Sequence, residues 1–146
     1  MLDAGRSMGL DVGTKTIGVA ISDELGLCAY PKLVLRRQGD RKDLATLAEL
    51  ARAEAVVVVV VGWPLALDGK AGPRARRVEG FAQALGACLP AGTRVELWDE
   101  RFSTAEAERV LIEGGASRAR RKAVIDKQAA ALILQGWLDR QRGTFE

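Results

Sequence analysis

The amino-acid sequence predicts an α/β fold built on a mixed five-stranded sheet with helices on both faces. Three short apolar segments rich in β-branched residues come first, so the sheet is expected to begin with three antiparallel strands. Residues 56–61 are six consecutive valines, and a segment apolar on both faces is typical of a central, usually parallel, strand. After that run, helical and strand patterns alternate, which predicts βαβ units.

The chain opens with a predicted β-hairpin. Met8–Val12 and Ile17–Ile21 are both apolar, and the residues between them are typical of a turn in which Gly13 adopts a positive φ. A third strand is predicted over Leu27–Leu35. Pro31 indicates an edge position or a bulge there, because proline cannot donate to a sheet ladder.

Helices and parallel strands are predicted to alternate in the middle of the chain. Gly39 interrupts the third strand, and apolar residues at helical spacing follow it. Gly72-Pro73 predicts the start of another helix, since proline is favoured in a first turn. The predicted elements of this region are a helix over about 41–53, a strand over 56–61, a helix over about 73–89 and a strand over 95–98.

Two helices complete the predicted fold. Ser103–Glu106 has the pattern of a capping box, and Gly114-Gly115 is expected to end the helix that begins there. Ala116–Lys122 is predicted to be a basic connector before a last helix over about 123–141. This order of elements is the one expected of an RNase H-like fold, here as a single domain of residues 1–146.

Histidine is absent from the 146 residues, and this absence limits the chemistry. It excludes Ser-His-Asp triads, histidine acid–base pairs and histidine-containing zinc sites. A hydrolase of this composition is expected to use water activated by a metal ion held on carboxylates. Cys28 and Cys88 form no CxxC motif, so we expect free buried thiols in a cytoplasmic protein. The sequence has no apolar run long enough for a membrane span and no signal-peptide pattern.

Three acidic residues stand where such a fold could bring them together. Asp11 lies inside an apolar strand, where a carboxylate is costly to bury unless it is paired or binds a metal. Glu100 follows the fifth strand, and Asp126 lies in the first turn of the last helix, one turn before the small Ala130. Asp99 is an equal candidate for the second position, because spacing does not choose between Asp99 and Glu100. Carboxylate oxygens suit Mg²⁺ or Mn²⁺.

Basic residues form two dense groups that suit contacts with nucleic-acid phosphates, although a solvated basic face would have the same composition. The net charge is +3 and the isoelectric point is about 9.1. The candidate nucleic-acid-binding residues are Lys15 in the hairpin turn, the group Arg74, Arg76 and Arg77, and the group Arg118, Arg120, Arg121 and Lys122.

Several short motifs, in order along the chain, carry a family resemblance. They are LDVGTK at 10–15, IGVAISD at 17–23, VGWPL at 61–65, Gly69, Gly72-Pro73, DER at 99–101 with Ser103-Thr104, and Ile125-Asp126 followed by Ala129-Ala130 and Gln135. The chain resembles the YqgF family, also called RuvX, of RNase H-like nucleases from about Arg6 to Arg140. Trp63 stands where the family usually has leucine, which is expected to change loop packing rather than chemistry.

The resemblance implies a function that the residues alone do not specify. It implies that Asp11, Glu100 and Asp126 are catalytic carboxylates of a metal site, in a nuclease that matures the 5′ end of precursor 16S rRNA. It also implies an alternative, the resolution of four-way DNA junctions, for which the enzyme would be a homodimer rather than a monomer. A third hypothesis is a non-catalytic RNA-binding factor of ribosome assembly. The segment at 11–15 is also similar to the phosphate loop of actin-like ATPases, which need far more chain than 146 residues.

Overall fold

The computed structural model of the protein describes residues 5–100 and 118–143, with the side chains of the last helix described for 128–141. The predicted helix that starts at Ser103 lies outside the described residues. The strands are β1 (Arg6–Val12), β2 (Thr16–Ser22), β3 (Ala29–Arg36), β4 (Val56–Trp63) and β5 (Arg94–Asp99), and the helices are α1 (Asp40–Ala53), α2 (Pro73–Cys88) and α3 (Arg118–Gly143).

The five strands form one mixed sheet in the order β3-β2-β1-β4-β5. β1 pairs antiparallel with β2 and parallel with β4, and β5 pairs parallel with β4. The predicted fold class is therefore confirmed. β3 is an edge strand, and its pairing with β2 shifts register beside Pro31, so both features that proline indicated are present.

The sheet separates two apolar cores. Val59 and Val61 belong to the core shared with α1 and α2, whereas Val58 and Val60 belong to the core shared with α3. The valine run is thus buried on both faces, as the prediction of a central strand requires.

α3 crosses β1 at very short range. A Cβ atom added at Gly9 would lie 2.7 Å from the carbonyl oxygen of Ala130 and 2.7 Å from the Cβ of Leu134. Ala129 and Ala130 are both buried, so small residues on the helix and a bare position on the strand together allow the close approach.

Three predictions about local structure were wrong. Residues 118–122 are helical, because α3 begins at Arg118; arginine, alanine and lysine are all good helix formers, so the basic run extends the helix. Gly13 does not adopt a positive φ. Its amide donates to the carbonyl of Thr16 at 2.8 Å, and a Cβ would lie 3.0 Å from that same oxygen, so the turn favours a residue that has no side chain. Cys28 and Cys88 are free but exposed, because Cys28 lies in the loop before β3 and Cys88 is the last residue of α2.

None of the helices in residues 5–100 and 118–143 has the length and apolar character needed to span a bilayer.

Candidate active site

Asp11 lies near the carboxyl end of β1, on the face of the sheet that α3 covers. It shares that face with Gly9, two residues earlier, because side chains alternate along a strand. Its partner across the antiparallel ladder is Gly18, which contributes no side chain beside the carboxylate. Asp11 Oδ1 is buried. Pairing with β2 on one side and β4 on the other holds the Asp11 backbone in the middle of the sheet.

Glu100 comes to the same edge of the sheet from the end of β5. A Cβ added at Gly62, near the end of β4, would lie 2.5 Å from Ile133 Cδ1 and 3.1 Å from Glu100 Oε2, so the missing side chain leaves room for both residues. Leu10 is paired with Val61 in the parallel ladder, which places Asp11 next to Gly62. Glu100, after β5, and Asp11, in β1, therefore approach each other across β4, which lies between β1 and β5 in the sheet. Gly62 was assigned no functional role from the sequence; its position directly after the valine run was the available signal.

The electrostatics of Glu100 reflect this crowding. Burial of the side chain and the negative charge of Asp11 raise the Glu100 pKa from 4.5 to about 7, with a further contribution from Asp99. The positive charge of Arg74 acts in the opposite direction. Two carboxylates in one partly buried site resist simultaneous ionisation, and a cation bound between them would remove that resistance.

The structure distinguishes Glu100 from Asp99. Asp99 is paired in register with Trp63 at the end of the β4–β5 ladder. By alternation its side chain shares the face of Val95, which packs against the core of α1 and α2. Glu100 falls on the opposite face, where Trp98 packs against the core of α3 and where Asp11 also lies.

Asp126 lies well inside α3 and not, as predicted, in its first turn, because the helix already begins at Arg118. Its side chain is outside the described residues. Its backbone position is one turn before Ala130, whose carbonyl adjoins Gly9. Further along α3, Gln135 Oε1 accepts a hydrogen bond from the amide of Ala29 at 2.8 Å, at the opposite end of the sheet. The amino-terminal part of α3 therefore lies towards the end of β1 that carries Asp11. The placement of the Asp126 carboxylate stays a prediction.

The candidate nucleic-acid-binding residues differ in where the structure places them. Lys15 is exposed in the hairpin turn. Arg74 and Arg77 line a cavity of about 510 Å³ beside the end of β1, whereas Arg76 is exposed and its Nε lies 3.5 Å from the carbonyl of Ala71. The side chains of Arg118, Arg120, Arg121 and Lys122 lie outside the described residues.

Arg37 is a residue of this cavity that the sequence analysis missed. Its Nε donates to Asp43 Oδ2 at 2.7 Å, Nη2 donates to Asp40 Oδ1 at 2.5 Å, and Nη1 donates to the carbonyl of Gly13 at 2.7 Å. The acidic residues three and six positions after Arg37 were the available signal. This arginine connects the start of α1 with the turn that follows Asp11.

Trp63 connects β4 with α2. Its Nε1 donates to Glu79 Oε2 at 2.9 Å, which attaches the end of β4 to α2 on the face away from Asp11.

Sequence comparison matches residues 5–140 to the family described as "RuvX: Holliday junction resolvase". A protein of Myxococcus xanthus named "Putative pre-16S rRNA nuclease" is 55% identical over 137 residues, which cover 94% of this chain and 89% of that protein. A protein of Symbiobacterium thermophilum with the same name is 56% identical over 134 residues, covering 92% of each chain.

Comparison with solved structures supports the fold. T. thermophilus RuvC, in a complex with Holliday junction substrate, superposes with a TM-score of 0.59 at 18% identity, covering 96% of this chain and 97% of that chain. The fowlpox virus Holliday junction resolvase superposes with a TM-score of 0.57 at 15% identity, covering 92% of this chain and 99% of that chain. At these identities the likeness concerns the fold, which is RNase H-like.

Proposed function

The chain belongs to the RuvX family, and on that basis we propose that it is a divalent-metal-dependent nuclease that processes the 5′ end of precursor 16S rRNA. One observation carries the proposal: the Glu100 carboxylate lies against Gly62, close enough to Asp11 for the Asp11 charge to help raise the Glu100 pKa to about 7. This arrangement destabilises the metal-free, fully ionised site and therefore favours a bound cation.

The residues present fit a hard divalent cation. Asp11 and Glu100 provide oxygen donors from β1 and from the end of β5, on either side of β4. We propose Asp126 as the third carboxylate and Mg²⁺ or Mn²⁺ as the ion. When bound, such ions polarise a phosphoryl oxygen and lower the pKa of water, so hydrolysis proceeds without histidine.

Each residue of the site has a distinct task in this proposal. The strand pairings on both sides of β1 hold the Asp11 backbone, which keeps the first ligand in place. Glu100 releases its proton as the ion binds, so cation affinity is expected to rise with pH. Arg74 balances part of the negative charge of Glu100 and would contact a phosphate of the substrate.

The proposed substrate follows from the name that the relatives carry. Lys15, the Arg74–Arg77 group and the group at 118–122 would hold backbone phosphates, which positions a strand without reading its sequence. A nuclease acting on precursor rRNA would work in the cytoplasm, where ribosomes are assembled.

A second candidate function is the cleavage of four-way DNA junctions, which the family description favours. Two symmetric cuts require two active sites, so a junction resolvase is expected to be a two-fold dimer, whereas an RNA-processing enzyme can act as a monomer.

Cleavage assays on two substrates test the proposal. A precursor 16S RNA with its 5′ leader and a synthetic four-way DNA junction are incubated with the purified protein and Mg²⁺ or Mn²⁺, with EDTA as a control. The Asp11→Asn variant is compared with Asp68→Asn, which makes the same chemical change at an exposed carboxylate.

Metal-dependent cutting of the RNA that Asp11→Asn abolishes and Asp68→Asn retains would support the proposed function. Paired symmetric cuts in the junction, without RNA cleavage, would transfer the assignment to a resolvase. If neither substrate is cut, or if Asp11→Asn cuts as well as the wild type, the proposed nuclease activity is wrong.

A further inference from the structure

A cavity of about 510 Å³ opens at the same end of the sheet as Asp11 and Glu100, on the side of α1 and α2. Its walls are the end of β1 and the following turn, the start of α1 and the first half of α2. The lining residues are Val12, Gly13, Thr14, Arg37, Gly39, Asp40, Arg74, Arg77, Val78, Gly80 and Phe81. The volume is within the range of small-ligand pockets and is large enough for a phosphate group together with its sugar.

Arg37 forms a rigid wall of this cavity. Its three hydrogen bonds to Asp43, Asp40 and the Gly13 carbonyl fix the guanidinium group, which also lies 5.2 Å from the centre of the Phe81 ring. A guanidinium group has five N–H donors, and these bonds use three of them. The charge of Arg37 is balanced by the two aspartates, so the excess positive charge of the cavity comes from Arg74 and Arg77.

The charges along this wall of α2 oppose the stability of the helix. The first turn of α2 has no acidic residue and no side-chain cap, and Arg74 lies in that turn, at the positively polarised amino end. An anion in the cavity would convert this repulsion into attraction, which is a physical reason for placing exposed arginines there.

Building on the proposed function, we propose that the cavity binds a phosphodiester group of the substrate strand away from the cleavage site, with Arg77 as its main contact and Arg74 between the cavity and Glu100. The carboxylates and the cavity share the edge of the sheet at the end of β1, so one strand crossing that edge reaches both. The cavity would therefore position the strand for cutting without taking part in the reaction.

Binding measurements in a protein that cannot cut test this inference separately from the nuclease activity. Labelled precursor RNA and labelled four-way junction are titrated against Asp11→Asn protein over a series of salt concentrations. The same titrations are repeated with Arg77→Gln, Arg77→Lys or Arg41→Gln added. Arg41 is exposed at the start of α1 and does not line the cavity, so Arg41→Gln removes the same charge from the same end of the molecule.

We expect Arg77→Gln to weaken binding of the preferred nucleic acid about tenfold, as the loss of one charge-assisted contact predicts. The slope of log affinity against log salt should fall by about 0.7 for single-stranded RNA. Arg77→Lys should retain most of that slope, and Arg41→Gln should stay within about twofold of the parent. Melting temperatures of all variants should agree, since Arg77 is exposed.

Equal losses for Arg77→Gln and Arg41→Gln, or no loss for Arg77→Gln, would overturn the inference while leaving the cleavage result untouched. Whether the cavity binds a free nucleotide and not a nucleic-acid strand is tested by adding uridine 5′-monophosphate alone and measuring the melting temperature. If it raises the melting temperature of the wild type but not of Arg77→Gln, while RNA affinity does not depend on Arg77, the cavity serves a free nucleotide and the strand contact is wrong.

Discussion

Replacing Glu100 by glutamine is expected to change how the stability of the metal-free protein depends on pH. Burial and the charge of Asp11 raise the Glu100 pKa to about 7 in the folded protein, against 4.5 as the ordinary value. Between these values the folded protein holds a proton that the unfolded chain releases. The contribution of Glu100 is therefore fully present below about pH 4.5 and is lost as the pH rises through about 7.

The size of the effect follows from the difference between the two pKa values. A pKa raised from 4.5 to about 7 corresponds to about 3 kcal/mol of lost unfolding free energy once the pH is well above 7. For a chain of this length that loss lowers the melting temperature by about 10 °C. Glu100→Gln removes the ionisation, so its stability should not show this decline.

Chemical denaturation in EDTA, at a series of pH values from about 4 to about 9, measures the difference. Glu24→Gln serves as the matched control, because Glu24 is a largely exposed carboxylate at the opposite end of the sheet. The wild type and Glu24→Gln should lose stability together with rising pH, whereas Glu100→Gln should not. Parallel pH curves for the wild type and Glu100→Gln would refute the reasoning.

Adding the cation extends the same test. A divalent ion favours the ionised carboxylates, so Mn²⁺ should restore the stability of the wild type at high pH and should stabilise it much less at low pH. The increase should be smaller in Glu100→Gln. An ion effect of equal size in both proteins would show that Glu100 is not a ligand.

Three further substitutions have defined outcomes. Gly9→Ala should destabilise the protein by about 1–3 kcal/mol in urea denaturation, because its Cβ would meet the carbonyl of Ala130 rather than a movable side-chain end; a cost near zero would show that α3 shifts freely. Gly62→Ala should reduce cleavage by about tenfold or more with a smaller loss of stability, because Ile133 Cδ1 can rotate away while Glu100 Oε2 must be displaced; unchanged cleavage would contradict the site geometry. Asp43→Asn should cost about 1–3 kcal/mol of unfolding free energy, since the buried Asp43 carboxylate accepts from Arg37 and from the amide of Gln38; the control is Asp40→Asn, which changes an exposed carboxylate bonded to the same arginine and should lower the unfolding free energy by less than about 1 kcal/mol.

The fold was predictable because its signals are local. Strand runs, turn residues and helical spacing each occupy a few consecutive residues, and the valine run indicated the central strand without any knowledge of its neighbours. The connector predicted before the last helix is too long, because its arginine, alanine and lysine residues favour helix and α3 begins at Arg118.

The candidate carboxylates were predictable as residue types but not as a constellation. An aspartate inside an apolar strand marked Asp11, and the absence of histidine favoured metal-ion chemistry. Sequence spacing alone did not distinguish Asp99 from Glu100 as the second carboxylate of the site. Alternation at the end of β5, together with the bare position at Gly62, placed Glu100 beside Asp11.

The amino-acid sequence by itself determined the order of the strands and helices. Its lack of histidine excluded histidine chemistry, and it identified the acidic residues that could act instead. Only the tertiary structure decided which side chains meet: Glu100 with Asp11 above Gly62, and Arg37 with Asp43 beneath the turn after β1. The physical reason is that local conformation depends on neighbouring residues, whereas burial, the raised Glu100 pKa and the arginine-lined cavity depend on strands and helices far apart in the chain.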